Sequence, residues 1–170
     1  SITCRIYGDY YEDCLAADTP IQLYDGTMIT IGELKVGDKI HSFSTPQMID
    51  EDEPNWMSWE EEDISDGEHG WSEVVNAEPL NRIGYFKING SMRLTKYHPF
   101  MIMRDNAWQW VRTHNLAIGD KMFAQDGTQV PITSVEYIHE PITVINLGVE
   151  DVDNYFAGSI GGVPVLTHNK

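Results

Sequence analysis

Apolar and β-branched residues recur along this chain in short runs broken by Asp-Gly and Gly-Gly turns, and no long stretch keeps a helical period. Thr19 to Tyr24 reads as a strand, Asp25-Gly26 as a tight turn and Thr27 to Ile31 as the returning strand. Further strands are expected at Lys39 to Ser44, Ser72 to Val75, Gly84 to Ile88, Pro99 to Met103 and Ala107 to Arg112. The series continues with Lys121 to Ala124, Gln129 to Ile138, Ile142 to Val149, Tyr155 to Ala157 and Val163 to Thr167. Ile31 to Leu34 and Thr113 to Leu116 are each expected to make a single helical turn. Many short strands joined by turn residues imply an all-β fold.

The pattern also repeats. Leu34-Lys35-Val36-Gly37-Asp38-Lys39-Ile40 lies on Leu116-Ala117-Ile118-Gly119-Asp120-Lys121-Met122 at an offset of 82 residues, and Thr19-Pro20-Ile21 falls opposite His98-Pro99-Phe100 at nearly the same offset. Two related halves, each a proline-led strand followed by a Gly-Asp turn into another strand, imply one β body with approximate twofold symmetry. Residues from about Pro46 to Trp71 have no counterpart in the second half. That acidic, Trp-containing stretch is expected to be a loop insertion, solvated filler rather than a binding site.

Composition sharpens this picture. At 170 residues and 41% hydrophobic content the chain suits one core and is short for two. The formal charge of −16 is concentrated: Asp50 to Glu68 holds ten carboxylates and no Lys or Arg, leaving 17 acids against 11 bases elsewhere. Such a block reads as a solvated loop. It argues against attraction to nucleic acid or to an anionic membrane surface. No apolar run reaches the roughly 18 residues of a membrane-spanning helix, and no charged-then-apolar leader opens the chain. The expectation is a soluble, cytoplasmic monomer. Cys4 and Cys14 are too few for a disulfide framework or a four-thiolate zinc site. A bridge between them is sterically conceivable and would silence either thiol; one cysteine with a chemical role is the simpler expectation.

The chemistry gathers at the two ends. In Thr167-His168-Asn169-Lys170, the Asn169 side-chain nitrogen can attack its own main-chain carbonyl, closing a five-membered imide and expelling the residue that follows. Attack within one residue has a very large effective concentration, so it needs positioning and proton transfer, which an imidazole such as His168 supplies near neutral pH. The bland alternative is a solvated tail. Cys14 stands just before the first confident strand, where its thiol can attack the Asp13 carbonyl and turn the amide into a thioester; otherwise it is a small core residue. Partners for that step lie in Thr95-Lys96-Tyr97-His98-Pro99. Thr95 and His98 are three apart and would face opposite ways in a straight strand, so the chain must bend between them. Pro99 holds His98 extended, which puts the bend at Lys96-Tyr97. The pair also suits a structural hydrogen bond at a strand end.

These residues resemble the Hint domains, the family of inteins, bacterial intein-like domains and hedgehog autoprocessing domains. Cys14-Leu15-Ala16-Ala17-Asp18-Thr19-Pro20-Ile21 with Asp25-Gly26 and Val36-Gly37-Asp38 is similar to the N-terminal block, whose first residue is the acyl-shift nucleophile. Thr95-Lys96-Tyr97-His98 matches the T-x-x-H block. Val144 to Glu150 with Asn154-Tyr155-Phe156-Ala157-Gly158 resembles the penultimate block, and Val165 to Asn169 the C-terminal one. The resemblance implies a mini-intein without a homing-endonuclease insert, folded as a horseshoe with pseudo-twofold symmetry. It implies Cys14, Thr95, His98, His168 and Asn169 as the reacting set, with residues 1–13 as one flank, 14–169 as the domain and 170 as the start of the other flank. The domain's own flanks are its substrate. No metal or cofactor is implied, although zinc could inhibit by binding Cys14 and a nearby His.

Two departures stand out. Asn146 replaces the Asp of many inteins, which favours the bacterial intein-like branch, and Asp153 replaces a His that assists cyclisation. Asp153 itself or His139 is left as a weaker candidate for that role. Splicing needs Cys, Ser or Thr after Asn169, and Lys170 is a poor acyl acceptor, so cleavage is expected over ligation. Asp13 could attack the adjacent thioester and favour release. The alternatives are a Hint-like scaffold without processing that acts through its acidic insertion, and a metal-dependent hydrolase using that loop with His69. Asp63 to Glu68 lacks the spacing of a calcium loop.

Overall fold

The computed structural model describes residues 14–50, 52–160 and 162–169. The strands in order are β1 (Leu15–Ala16), β2 (Pro20–Gln22), β3 (Met28–Thr30), β4 (Lys39–Ser44), β5 (Glu60–Glu61), β6 (Glu68–Ile88) and β7 (Met92–Leu94). They continue with β8 (Pro99–Arg104), β9 (Ala107–Arg112), β10 (Lys121–Phe123), β11 (Gln129–Pro131), β12 (Val135–Glu150), β13 (Asn154–Ile160) and β14 (Val163–His168). Single 3₁₀ turns stand at Ile31–Glu33, Trp56–Ser58 and Thr113–Asn115, and there is no α-helix among the described residues. The all-β expectation holds, and so do both single helical turns.

The repeat is real in three dimensions. β2, β3, the Ile31–Glu33 turn and β4 are matched by β8, β9, the Thr113–Asn115 turn and β10. Lys35 N donates to Asp38 Oδ2 at 2.8 Å, and 82 residues later Ala117 N donates to Asp120 Oδ2 at 2.8 Å. Gly37 and Gly119 share a φ of +97°, a left-handed turn that other residues adopt at a cost. The chemistry therefore sits on a duplicated β unit, and the copies differ in what caps them: Arg104 braces Asp120 through a partly buried ion pair.

β6 and β12 pair antiparallel along nearly their whole length, from Val135↔Ile88 to Glu150↔Glu73, and form a ribbon through both halves. Where strands were expected at Ser72 to Val75 and Gly84 to Ile88, the chain makes one strand of 21 residues. Asn76, Glu78 and Asn81 interrupt the apolar alternation because much of this ribbon faces water on one side.

The insertion departs from expectation. Residues 68–71 belong to β6 and pair with β4, with Phe43 opposite His69. β5 pairs with β9. Trp56 and Trp59 are buried in a second, aromatic core with Phe43, Trp108, Trp110, Phe123 and Phe156. Glu61, also buried, takes hydrogen bonds from the Thr45 hydroxyl and, at 3.1 Å, from Trp59 Nε1. Among the described residues of the stretch, Asp52, Glu53, Glu60, Glu62, Asp63, Asp66 and Glu68 are exposed to water. Solvated filler is thus wrong for its inner face. Charge density reports the outward side of the segment and hides the two tryptophans that dock it, each costing about 3–5 kcal/mol to truncate.

One buried-edge pair sets a pH response. His41 Nε2 lies 2.9 Å from His69 Nδ1, and Gln125 Nε2 lies 2.6 Å from His41 Nδ1. Burial, and then the positive charge His69 can carry, push the half-buried His41 down from 6.5 to about 4. Between those values the unfolded chain binds a proton that the folded chain refuses, so stability falls as pH drops from 6.5 towards 4. With allowance for solvent around a half-exposed ring, the loss is about 1–2 kcal/mol. Urea unfolding at pH 7 and pH 4.5 measures it, and His41→Gln is expected to remove that share of the difference.

Candidate functional site

β1 lies between β7 and β12, with Leu15 opposite Leu94 on one side and Ile145 on the other. Continued by one residue, these registers set Thr95 and Asn146 on the two sides of Cys14. Thr95 grips Cys14 closely: Thr95 N donates to Cys14 O at 2.9 Å, Cys14 N donates to Thr95 Oγ1 at 2.8 Å, and the Thr95 hydroxyl donates to Cys14 O at 3.2 Å. Cys14 N is the nitrogen that would leave in an acyl shift. Cys14 is fully buried among Ala16, Tyr85, Ile142 and Val144. Its sulfur is disulfide-bonded, so of the two states the sequence leaves open the structure has the one in which the thiol is silenced until reduced. The chain's other cysteine, Cys4, lies outside the described residues, as does Asp13.

The bend between Thr95 and His98 falls where Pro99 requires it, with His98 N donating to Thr95 O at 3.3 Å. His98 is fully buried, its carbonyl receives both Thr113 N and Thr113 Oγ1, and its ring meets Phe100 edge-on. Phe100 pairs with Thr167, so β8 carries His98 towards the end of β14. Asn146 is buried; its carbonyl receives Asn76 Nδ2 at 3.2 Å, while its side-chain Oδ1 has no hydrogen-bond partner among the described residues. A buried acceptor left in that state costs about 1–3 kcal/mol and calls for a chemical reason.

At the other end, β13 and β14 pair with Asn154 opposite His168. Asn169 N donates to Asp153 O at 2.9 Å, and Asn169 Nδ2 donates to Val149 O at 3.3 Å. Asn169 is 5% exposed, and its Oδ1 is a second buried acceptor with no partner among the described residues. Asp153 and His168 line one cavity of about 230 Å³ with Asp50, Asp151 and Trp110. Asp153 and His168 thus border one cavity, whereas His139 is exposed on the ribbon with its ring against Tyr137 and is not among the cavity's lining residues.

β12 joins the two ends. It carries Asn146 beside Cys14 and, three residues on, Val149 against Asn169, a span of about 10 Å along a strand. Sequence reasoning missed Val149, since only its carbonyl is used. It also missed Asn154, whose side-chain amide accepts from Phe43 N at 3.0 Å and donates to Phe43 O at 2.7 Å, tying β13 to β4. The roles of Trp56 and Trp110 around His168 were missed as well; for Trp56 the available signal was a tryptophan inside an acidic stretch, and Trp110 reads only as a core residue of its strand. Among the described residues no group of three or more His, Cys, Asp or Glu side chains could hold a metal ion.

Solved structures share this architecture. The bacterial intein-like domain of Clostridium thermocellum superposes with a TM-score of 0.68 at 22% identity, over 92% of this chain and 98% of that one. The TvoVMA intein gives 0.67 at 17% identity, over 92% and 98%. The DnaB intein of Synechocystis sp. PCC 6803 gives 0.61 at 14%, over 91% and 96%. At such identities the likeness establishes the fold. No curated protein matches the chain. The profile of the pretoxin Hint domain matches residues 62–170, well over half of the chain, and takes in Thr95, His98, Asn146, His168 and Asn169. The chain belongs to the pretoxin Hint domain family.

Proposed function

We propose that this domain, residues 14–169, cuts itself out of a longer chain at both ends. Cys14 makes a thioester with Asp13, and Asn169 cyclises to release the segment beginning at Lys170. The observation that carries the reading is the convergence on β12 of Cys14, clamped by Thr95, and of Asn169, held by Val149 and Asp153.

At the first junction the Cys14 thiolate attacks the Asp13 carbonyl carbon, a C–S bond replaces the C–N bond, and the departing Cys14 nitrogen takes up a proton. The Thr95 hydroxyl, 2.8 Å from that nitrogen, is in place to hold it, and His98 is the proton donor in this reading. Because Cys14 is disulfide-bonded, a reductant must first free the thiol. At the second junction Asn169 Nδ2 attacks the Asn169 carbonyl carbon, the bond to Lys170 breaks, Nδ2 gives up one proton and the leaving nitrogen gains one. His168 carries that exchange and Asp153 assists it. Lys170 offers no hydroxyl or thiol to receive the upstream acyl group, so the products are cut rather than joined.

Intact mass of the purified full chain, followed for a day with and without a small thiol, tests this. Residues 1–13 are expected to leave only with thiol, and Lys170 to leave under both conditions. A mass unchanged at every pH and reductant overturns the reading in favour of an inert Hint scaffold.

A further inference from the structure

The insertion docks on the C-terminal junction through one contact in particular. The Trp56 indole lies almost parallel to the His168 imidazole, with ring centroids 4.2 Å apart and 22° between planes. Trp110 meets the same imidazole edge-on at 4.9 Å, so the ring is held on a face and on a side. Both partners are nearly fully buried, Trp56 at 7% and His168 at 3% exposure. The indole is itself fixed. The Arg112 guanidinium lies 5.8 Å from the ring centroid, and Arg112 Nη1 donates at 2.7 Å to the carbonyl of Tyr97, inside the Thr95–His98 bend. Downstream, Trp59 and Glu61 pin the segment to Trp110, Thr45 and β9.

We propose that the acidic insertion roofs the C-terminal junction and that Trp56 is a positioning residue for Asn169 cyclisation. It holds the His168 ring in the plane from which a proton passes to the leaving nitrogen. The inference rests on the self-processing reading above. A five-membered ring closing on its own backbone depends on orientation more than on binding, and misplacing one participant by an ångström costs on the order of a hundredfold. A stacked aromatic face sets the plane of an imidazole and the edge-on Trp110 limits its turning within that plane, whereas an aliphatic side chain has no flat face with which to set it. The outward carboxylates keep this docked segment soluble, which explains their number without giving them a ligand.

The test uses the full chain. Trp56→Leu, which keeps the site apolar, is expected to slow release of Lys170 about 10- to 100-fold, while thiol-dependent release of residues 1–13 stays near the parental rate and reports an intact fold. Trp56→Phe restores a flat ring and is expected to recover release to within about threefold of the parent. In an Asn169→Ala background, which keeps the chain whole, the His168 ring-proton NMR signals are expected upfield under the indole and return towards ordinary positions in Trp56→Leu. A Trp56→Leu chain that sheds Lys170 at the parental rate overturns the inference and leaves self-processing standing. So does a thiol-responsive Trp56→Phe chain as slow as Trp56→Leu, or a His168 spectrum indifferent to the substitution. A parental chain that never loses Lys170 overturns both readings.

Discussion

Asn169→Ala is expected to abolish release of Lys170 altogether while leaving thiol-dependent release of residues 1–13 untouched. In this reading the nucleophile at the Asn169–Lys170 bond is the residue's own Nδ2, and alanine has none. Intramolecular attack of this kind has an effective concentration of about 10⁵–10⁸ M, so no water or neighbouring group replaces it on the same timescale. The structure already carries part of the cost of reaction: Asn169 sits buried, its Nδ2 turned to the Val149 carbonyl and its Oδ1 without a protein partner among the described residues. Alanine removes the unpartnered Oδ1 but also the Nδ2 bond to Val149 O, two effects of opposite sign, so the variant is expected to stay within about 1 kcal/mol of the parent. Intact mass and a thermal melt on the same sample check both halves. Residual loss of Lys170 would point to hydrolysis by another route.

Thr95→Val is expected to slow thiol-dependent release of residues 1–13 by about 10²–10³, the usual consequence of deleting one well-placed hydrogen-bonding group at a reacting carbonyl or leaving nitrogen. Valine keeps the shape and the main-chain bond from Thr95 N to Cys14 O, and loses both contacts of the hydroxyl, at 2.8 Å to Cys14 N and 3.2 Å to Cys14 O. Release of Lys170 is expected to stay within about threefold, since Thr95 touches nothing at Asn169 and distant sites behave independently. Equal slowing at both ends would mean that the substitution disturbs the shared β12 rather than the chemistry at Cys14. The reduced chain must be used for this comparison, because the disulfide at Cys14 otherwise masks the difference.

Much of this molecule was legible in its pattern of residues. The strands at Lys39–Ser44 and Ala107–Arg112 fall where alternation and turns put them, and Gly37-Asp38 and Gly119-Asp120 mark the two halves. Long-range facts were harder. That Asn146 flanks Cys14 follows from the register Leu15↔Ile145, which local propensity does not contain. The 21-residue β6 reads as two strands because its polar residues face water, and water-facing positions carry little pairing information. The insertion misleads for the opposite reason: its charges are on the surface and abundant, while Trp56, Trp59 and Glu61, which dock it, are few. The state of Cys14 could not be read at all, since two cysteines ten residues apart fit a bridge as well as two thiols.

One irregularity of the ribbon bears on how such a domain can vary. Pairing runs Gly148↔Asn76 and then Val149↔Val74, so Val75 is an extra residue on β6, bulged out between the positions that serve the two junctions. A bulge adds twist and turns the strand that carries it. Val75 is therefore an index mark on a ruler. It fixes the phase between the stretch of β12 that reads Cys14 and the stretch that reads Asn169, and a one-residue change there reverses every facing beyond it. The roof over His168 and the turn at residues 151–153 lie outside that phase. A residue added to or taken from β12 between Asn146 and Val149 is therefore expected to throw one end of the domain out of phase with the other.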